Sequence, residues 1–304
     1  MRRSALLLLV AVVGVSGLGF SGLFAATPQM DVSDIRPGMV GTGHTVFAGT
    51  KVEEFKAHIL GVVENVIGPH RNLILARLEG GPLAQTGVAQ GMSGSPVYID
   101  GRLIGAVSYS IGAFSKEPIA GITPIEEMKD ATAMPRARAP SQARLELPVT
   151  RENLAAALTA SYARLAPFAA RPADVQAIGL PAAAGAQLGA MMRPISTPLL
   201  MGGFEPDIAD VVAGAFRDSG FTPIITGAAS NEVAAPTGPL REGDAVGVSL
   251  ISGDLEMGAT GTVTHIDNDR VYAFGHPLYN LGPAAFPMTR AHVYTMLPSL
   301  MTSF

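Results

Sequence analysis

Apolar and polar residues alternate in short runs along residues 31–130, which predicts a block of strands. Residues 56–63 follow the two-residue period of a strand, and residues 72–78 form a compact apolar run. Asp100 and Gly101 separate two further apolar runs. They predict a tight hairpin, because both central residues of a type I′ turn need positive φ.

The pattern changes in the middle of the chain. Residues 131–148 are rich in Pro, Ala and Arg without periodicity, which predicts a linker. Residues 149–238 are predicted to be an α/β insert, with helices at 152–165 and 207–217 and a strand at 221–225. The strand pattern returns in residues 239–304, at 244–252, 259–265 and 270–274.

Together these elements predict a mainly β protein with two barrel-like halves, interrupted by the α/β insert. The second half, residues 239–304, is short for a closed six-stranded barrel, because strands average about five to six residues plus turns. We therefore expect that half to be truncated and the sequence to be a fragment of a longer protein.

The N-terminus has the pattern of an export signal. Arg2 and Arg3 give a basic start, and residues 4–26 carry no charge. That stretch is also long enough to span a bilayer as a helix. Residues 1–26 are therefore expected to be a signal peptide or a retained N-terminal anchor. The protein is expected in the periplasm or cell envelope, with membrane association through residues 4–26 in the anchored case.

Composition excludes several classes of function. Lys+Arg 21 against Asp+Glu 25 is a weakly acidic balance. It does not favour binding of nucleic acid, which needs clustered positive charge. The chain has no cysteine, which excludes disulfides, thiolate metal sites and a cysteine nucleophile. It also lacks the histidine spacing of a zinc site, so neither a cofactor nor a metal is expected.

The segment from Gly91 to Pro96, GMSGSP, carries the strongest chemical signal. Glycines near a serine allow a tight turn that exposes the hydroxyl of Ser93 and directs successive N–H groups to one point. The N–H groups of Gly91, Met92 and Ser93 are therefore candidates for an oxyanion hole. A predicted hairpin follows, whereas the nucleophile elbow of α/β-hydrolases opens a helix, so that class is excluded.

A serine nucleophile needs a base, and the chain has six histidines. His276 is the best candidate, because it follows a predicted strand within AFGHP. His44, in a glycine-rich turn, is the next candidate. His58 lies in an apolar strand, a position more typical of a packed histidine.

The segment GMSGSPVYIDGRLIGAVSY resembles the serine region of chymotrypsin-like peptidases. Together with YAFGHP it resembles the SpoIVB-type (stage IV sporulation protein B) serine peptidases, and residues 86–96 match that family closely. The resemblance covers about residues 36–130 and 240–304. The family has its histidine before its serine, whereas Ser93 precedes His276 here, so the two halves are expected in permuted order.

The resemblance implies an exported serine endopeptidase that acts on proteins or peptides through an acyl-enzyme. Ser93 would be the nucleophile and His276 the general base. Glu79 falls near the position of the family's aspartate and is expected as the acid, with Asp267, Asp269 or a residue beyond position 304 as alternatives.

The chymotrypsin-like analogy also implies the substrate site. Ser108, Tyr109 and Ser110 would form one wall, and the stretch around Gly121 the other. Gly87 stands where trypsin-like enzymes carry an aspartate, which argues against a preference for Lys or Arg. Two alternatives stay open: a catalytically inactive module that binds peptides by strand addition, and an envelope scaffold.

Overall fold

The computed structural model describes most of the chain from residue 27 onward. It covers residues 27–68, 71–111, 115–132, 148, 150–157, 176–178, 187, 191–217, 220–226, 238–278 and 285–304. The expected signal segment, and all of the linker beyond residue 132 except residue 148, lie outside the described residues. No helix in the described part is long and apolar enough to cross a membrane.

The first half is a closed barrel of six antiparallel strands. The barrel order is β1-β4-β5-β6-β3-β2, and pairing of β1 with β2 closes it. A mainly β, chymotrypsin-like barrel fold is thereby confirmed. The six strands are β1 (Val40–Val46), β2 (Val52–Gly68), β3 (Arg71–Glu79), β4 (Pro96–Ile99), β5 (Arg102–Ser110) and β6 (Ile119–Pro124).

Short helical segments precede, connect or follow the barrel strands. A 3₁₀ turn covers Val32–Asp34, α1 covers Leu83–Thr86 ahead of the serine, and α2 (Ile125–Thr132) follows β6. Residues 151–157 form a further helical stretch, α3, which overlaps the predicted helix at 152–165.

Apolar side chains from the six strands fill the barrel. Phe55, Ile74, Ile104 and Ile122 each have at most 2% of their surface exposed. Burying a side chain of this size stabilises the fold by about 1.5–3 kcal/mol. The predicted hairpin between β4 and β5 is present, with φ of 49° at Asp100 and 72° at Gly101. The two strands of this hairpin, β4 and β5, directly follow the serine segment in the sequence.

The second half is an open six-stranded sheet in the order β10-β9-β12-β11-β14, with β13 paired to β12. Within the described residues it does not close into a barrel, in line with the expectation that residues 239–304 are too short for a closed six-stranded one. Its strands are β9 (Thr197–Gly202), β10 (Phe221–Thr226), β11 (Ala245–Ile251), β12 (Glu256–Asp267), β13 (Arg270–Ala273) and β14 (Met288–Arg290).

The expected α/β insert contributes directly to this sheet. Strands β9 and β10 are parallel and are joined by α4 (Pro206–Arg217), which packs its apolar face on the sheet through Ala213 and Phe216. Two small strands attach to the barrel, β7 (Gln176–Ile178) to β2 and β8 (Arg193–Pro194) to β5. The described parts of residues 149–238 therefore extend both halves.

Candidate active site

The serine loop, Gly91–Ser95, is a tight turn between α1 and β4. Gly91 and Gly94 adopt φ of 83° and 98°, a region that favours glycine. The amide of Ser95 donates to the carbonyl of Met92 at 3.0 Å. Val107 of β5 anchors the loop, accepting from the amide of Gly94 at 2.8 Å and donating to the carbonyl of Ser95 at 2.9 Å.

Strand β12 of the second half holds the opposite side of this loop. The Thr262 amide donates to the Ser93 carbonyl at 2.8 Å, and the Thr262 hydroxyl donates to the Gly91 carbonyl at 2.9 Å. The Thr264 hydroxyl donates to the Gly94 carbonyl at 2.7 Å. Three carbonyls of the loop are thus directed toward β12.

The loop amides leave two donors for an oxyanion. Within the described residues, the N–H groups of Gly91 and Ser93 donate no hydrogen bond. The Met92 amide is instead engaged with the carbonyl of Ala89 at 3.3 Å. Of the three residues expected to form the oxyanion hole, Gly91 and Ser93 therefore have free amides and Met92 does not.

The turn that carries His276 packs against the serine loop. A Cβ on Gly94 would lie 2.5 Å from the amide nitrogen of Phe274, and one on Gly275 would lie 2.9 Å from the Cβ of Ser108. Thr262 bridges the two segments, because its carbonyl also accepts from the Phe274 amide at 3.3 Å. The fold therefore brings residues 274 and 275, which directly precede His276, against the serine loop and the neighbouring strand β5.

The imidazole of His276 has a defined tautomer. Its Nδ1 lies 3.0 Å from the carbonyl oxygen of Pro277. A carbonyl can only accept, so Nδ1 carries the hydrogen and Nε2 presents a lone pair. Burial lowers the pKa of His276, and the hydrogen bond to Pro277 offsets this only in part. The ring is therefore neutral at neutral pH.

Ser93 Oγ and His276 Nε2 are both buried polar atoms. Neither has a hydrogen-bond partner among the residues that the structure describes. Ser93 is completely buried, with 0% of its surface exposed. One atom is a donor and the other an acceptor, and a buried polar group without a partner costs about 1–3 kcal/mol. No hydrogen bond joins the two in this conformation.

The carboxylate expected beside His276 lies elsewhere. Glu79 ends β3, and its Oε2 contacts His58 Nε2 at 2.7 Å. Asp267 Oδ1 accepts from the side chain of Asn268 at 3.0 Å. Among the described residues, the partner of His276 Nδ1 is the Pro277 carbonyl and not a carboxylate.

The alternative base, His44, is also separately engaged. Its Nε2 lies 3.6 Å from Glu54, and its ring lies against Tyr98 with 5.3 Å between centroids.

The predicted substrate walls are tightly packed. Ser108 Oγ pairs with the Thr123 hydroxyl at 2.6 Å and donates to the carbonyl of Gly121 at 3.3 Å. Tyr109 is buried, which raises its pKa to about 12. A Cβ on Gly121 would lie 2.6 Å from Leu73. The backbone edge of β5 at Tyr109 and Ser110 is paired with β8.

One buried cluster was not anticipated from the sequence. His265 Nδ1 lies 2.7 Å from Glu242 Oε1, and the Tyr98 hydroxyl donates to Glu242 Oε2. Burial raises the pKa of Glu242, but hydrogen bonds from His265 and Tyr98 outweigh this and leave it lowered. Tyr98 belongs to the barrel and the other two residues to the second half. No local motif marks them, because they meet only through tertiary packing.

The described residues contain no group of three or more His, Cys, Asp or Glu side chains that could hold a metal ion.

Comparison with sequence models of protein families matches residues 29–128 to the SpoIVB peptidase S55 family. The matched stretch contains the complete barrel, the serine loop and the start of α2. No curated protein and no solved structure gives a significant match to the chain.

Proposed function

We propose that the protein cleaves peptide bonds with Ser93 as nucleophile and His276 as general base, because residues 29–128 match the SpoIVB peptidase S55 family of serine peptidases. The substrate class is protein or peptide. One observation carries this assignment: a buried hydroxyl donor and a buried imidazole acceptor, both without partners, lie on two segments bridged by Thr262.

The proposed reaction needs only groups already described. His276 Nε2 takes the proton of the Ser93 hydroxyl while Oγ attacks the peptide carbonyl. The protonated imidazole then gives that proton to the leaving amine, and the C–N bond breaks to leave an acyl-enzyme. Water, activated by the same nitrogen, releases the acid and restores the serine.

The negative charge that forms on the substrate oxygen needs preorganised donors. The N–H groups of Gly91 and Ser93 suit this role, because among the described residues neither has another acceptor. The loss of one such donor typically costs about 10²–10³ in turnover. Glu79 takes no part in the scheme, since its carboxylate is bonded to His58.

The test is fluorophosphonate labelling and peptide hydrolysis by the purified protein. We expect Ser93→Ala to abolish both. His276→Ala should lose about 10⁴–10⁶ in turnover, and the double variant should be no worse, because nucleophile and base act as one unit. Ser249→Ala on β11 is the control and should retain full activity. Turnover of His276→Ala within tenfold of the unmodified protein would assign the base to another histidine.

A second function, peptide capture without hydrolysis, is favoured by one observation. Ser93 is fully buried and is not hydrogen-bonded to His276. Peptide binding by the unmodified protein without hydrolysis, and without any labelling of Ser93, would favour this module. An envelope scaffold would neither label nor bind peptides.

We further propose export to the periplasm or cell envelope, supported by the basic start and the uncharged residues 4–26. Fractionation of expressing cells and sequencing of the mature N-terminus test this. A new N-terminus near Thr27 indicates cleavage, an intact one in the membrane fraction indicates an anchor, and a cytoplasmic protein refutes export.

A further inference from the structure

A piece of the chain lies along the barrel as an added strand. We name Met192–Ser196 the docked segment. Within it, Arg193 and Pro194 form β8 and pair antiparallel with Ser110 and Tyr109 of β5. The Ile195 amide donates to the Ser108 carbonyl at 2.9 Å, which continues the pairing by one residue.

Two side chains of the docked segment are inserted into the barrel half. Ile195 is 2% exposed and belongs to the buried cluster that contains Ala89, Val107 and Ile122. Met192 is 5% exposed and belongs to a second buried cluster, with Tyr109 and Ile119. Backbone pairing together with pockets for side chains is how proteins capture extended peptides by strand addition.

The docked segment lies beside the candidate catalytic groups. It pairs with Ser108, the neighbour of Val107, and Val107 is hydrogen-bonded to both Gly94 and Ser95 of the serine loop. Gly275, next to His276, packs against the side chain of Ser108 on the same strand. A peptide on this edge of β5 therefore runs toward the nucleophile and the base.

We propose that this edge of β5 is the substrate strand and that the docked segment fills it as an intramolecular pseudosubstrate. An edge that is already paired cannot accept a second strand, so the described conformation is a latent one. The inference rests on the proposed peptidase function and adds two things to it: an internal competitor and a preference among substrates.

The preference among substrates follows from the side chains of the docked segment, which occupies this edge of β5. Ile195 places a branched aliphatic side chain in an apolar cluster, so a substrate is expected to carry an aliphatic residue there and not a charged one. Proline is acceptable one residue earlier, because Pro194 pairs at that position although it lacks an N–H.

The binding test uses the full chain with Ser93→Ala, so that no hydrolysis occurs. The probe is a fluorescent synthetic peptide with the sequence of residues 191–197, MMRPIST. Ile195→Asp in the protein should release the docked segment, because an unpaired carboxylate is costly in that apolar cluster. We expect about tenfold tighter peptide binding when Ile195→Asp is added, since the competitor is removed.

Two controls accompany the measurement. Leu200→Asp makes the same change five residues later, at an exposed side chain of β9, and should leave peptide affinity unchanged. A probe with aspartate in place of its isoleucine should not bind. If Ile195→Asp fails to fold, as judged by circular dichroism, Ile195→Ala replaces it and should give a smaller increase in the same direction.

The second readout is the rate at which fluorophosphonate labels Ser93 in proteins that retain the serine. We expect faster labelling of Ile195→Asp than of the unmodified protein, and slower labelling again when the free peptide is added. Equal peptide affinity with and without the Ile195 change overturns the pseudosubstrate. Peptide binding that rises as expected without any labelling overturns the peptidase function and leaves the strand site intact.

Discussion

At the scale of single residues, the Pro277 carbonyl determines which nitrogen of His276 can act as a base. By accepting from Nδ1 it fixes the tautomer that leaves Nε2 free. In serine peptidases with a triad, a carboxylate does this and also stabilises the imidazolium. A carbonyl orients the ring without a full negative charge, and burial lowers the pKa of His276.

The lowered pKa of His276 predicts where activity declines in acid. A histidine base works when neutral, and a pKa below 6.5 keeps it neutral at lower pH. We expect the acidic limb of kcat/KM for peptide hydrolysis to have its midpoint below pH 6.5. His44→Gln should not move that midpoint. A midpoint above 6.5 would contradict the burial of the catalytic imidazole.

Gly94 is predicted to be irreplaceable. A Cβ there would lie 2.0 Å from the carbonyl oxygen of Thr262, and φ is 98°. Gly94→Ala should therefore lower the melting temperature sharply and abolish labelling of Ser93. Gly101→Ala is the matched control, because φ is 72° but nothing lies within 4 Å of the new Cβ. The free energy of unfolding of that variant should fall by only about 1–2 kcal/mol, which is the cost of the left-handed conformation for a residue with a Cβ.

Sequence predicts local structure well where the signal is local. The tight turn at Ser93 could be predicted, because the glycines on both sides of it permit the positive φ that Gly91 and Gly94 adopt. Glu79 was expected as the acid because it falls near the position of the aspartate in the family that the sequence resembles. Its neighbour depends on how β2 pairs with β3, and that pairing brings it to His58. The Glu242–His265 contact depends on tertiary packing, and no local sequence motif predicts it.

At the scale of elements, β12 organises the site. It pairs with β9, β11 and β13, and its Thr262 and Thr264 hold the serine loop. The alternation of apolar and polar residues in the sequence predicts β12 and its partners β11 and β13. Strand β9 has no such pattern, because Thr197–Gly202 is largely buried and includes a proline. The position of β9 in the sheet is therefore set by tertiary packing and could not be predicted from the local sequence.

Thr262→Val tests the hold of β12 on the serine loop. Valine keeps the shape of threonine but removes the hydroxyl that donates to the Gly91 carbonyl. We expect a loss of about 1 kcal/mol in unfolding free energy, the usual net value of one hydrogen bond, together with reduced turnover. Thr260→Val, two residues earlier on β12 and less buried, is the control. Equal turnover of the two variants would show that the threonine hydroxyl does not position the loop.

At the scale of the whole molecule, the two halves are joined around Glu242. Its carboxylate accepts from Tyr98 of the barrel and contacts His265 of β12, and Thr27 Oγ1 also donates to it at 3.3 Å. The sequence predicts two β-rich halves, with Ser93 in the first and His276 in the second. Their contact could not be predicted in this detail, since each partner comes from a different part of the chain.

Glu242→Gln is predicted to destabilise the folded protein by about 3 kcal/mol at pH 7, because it breaks a largely buried charged network. The lowered pKa of Glu242 means that its contribution is present above about pH 4.5 and is lost as pH falls through the folded-state value. Urea unfolding at neutral and acidic pH measures both effects. The unmodified protein should therefore lose more stability on acidification than Glu242→Gln. Glu256→Gln, at an exposed position, is the control, and an equal loss in the two variants would contradict the role of Glu242.

The hydrogen bonds from Thr262 to the serine loop also bear on the timing of synthesis. A chain that grows from its N-terminus at about 5–20 residues per second makes Thr262 roughly 8–34 seconds after Ser93. Until then the barrel can form, but neither the strand that holds the loop nor the histidine exists. If Ser93 and His276 act together as proposed, a nascent chain carries no active peptidase, and the biosynthetic machinery is not exposed to its hydrolysis during translation.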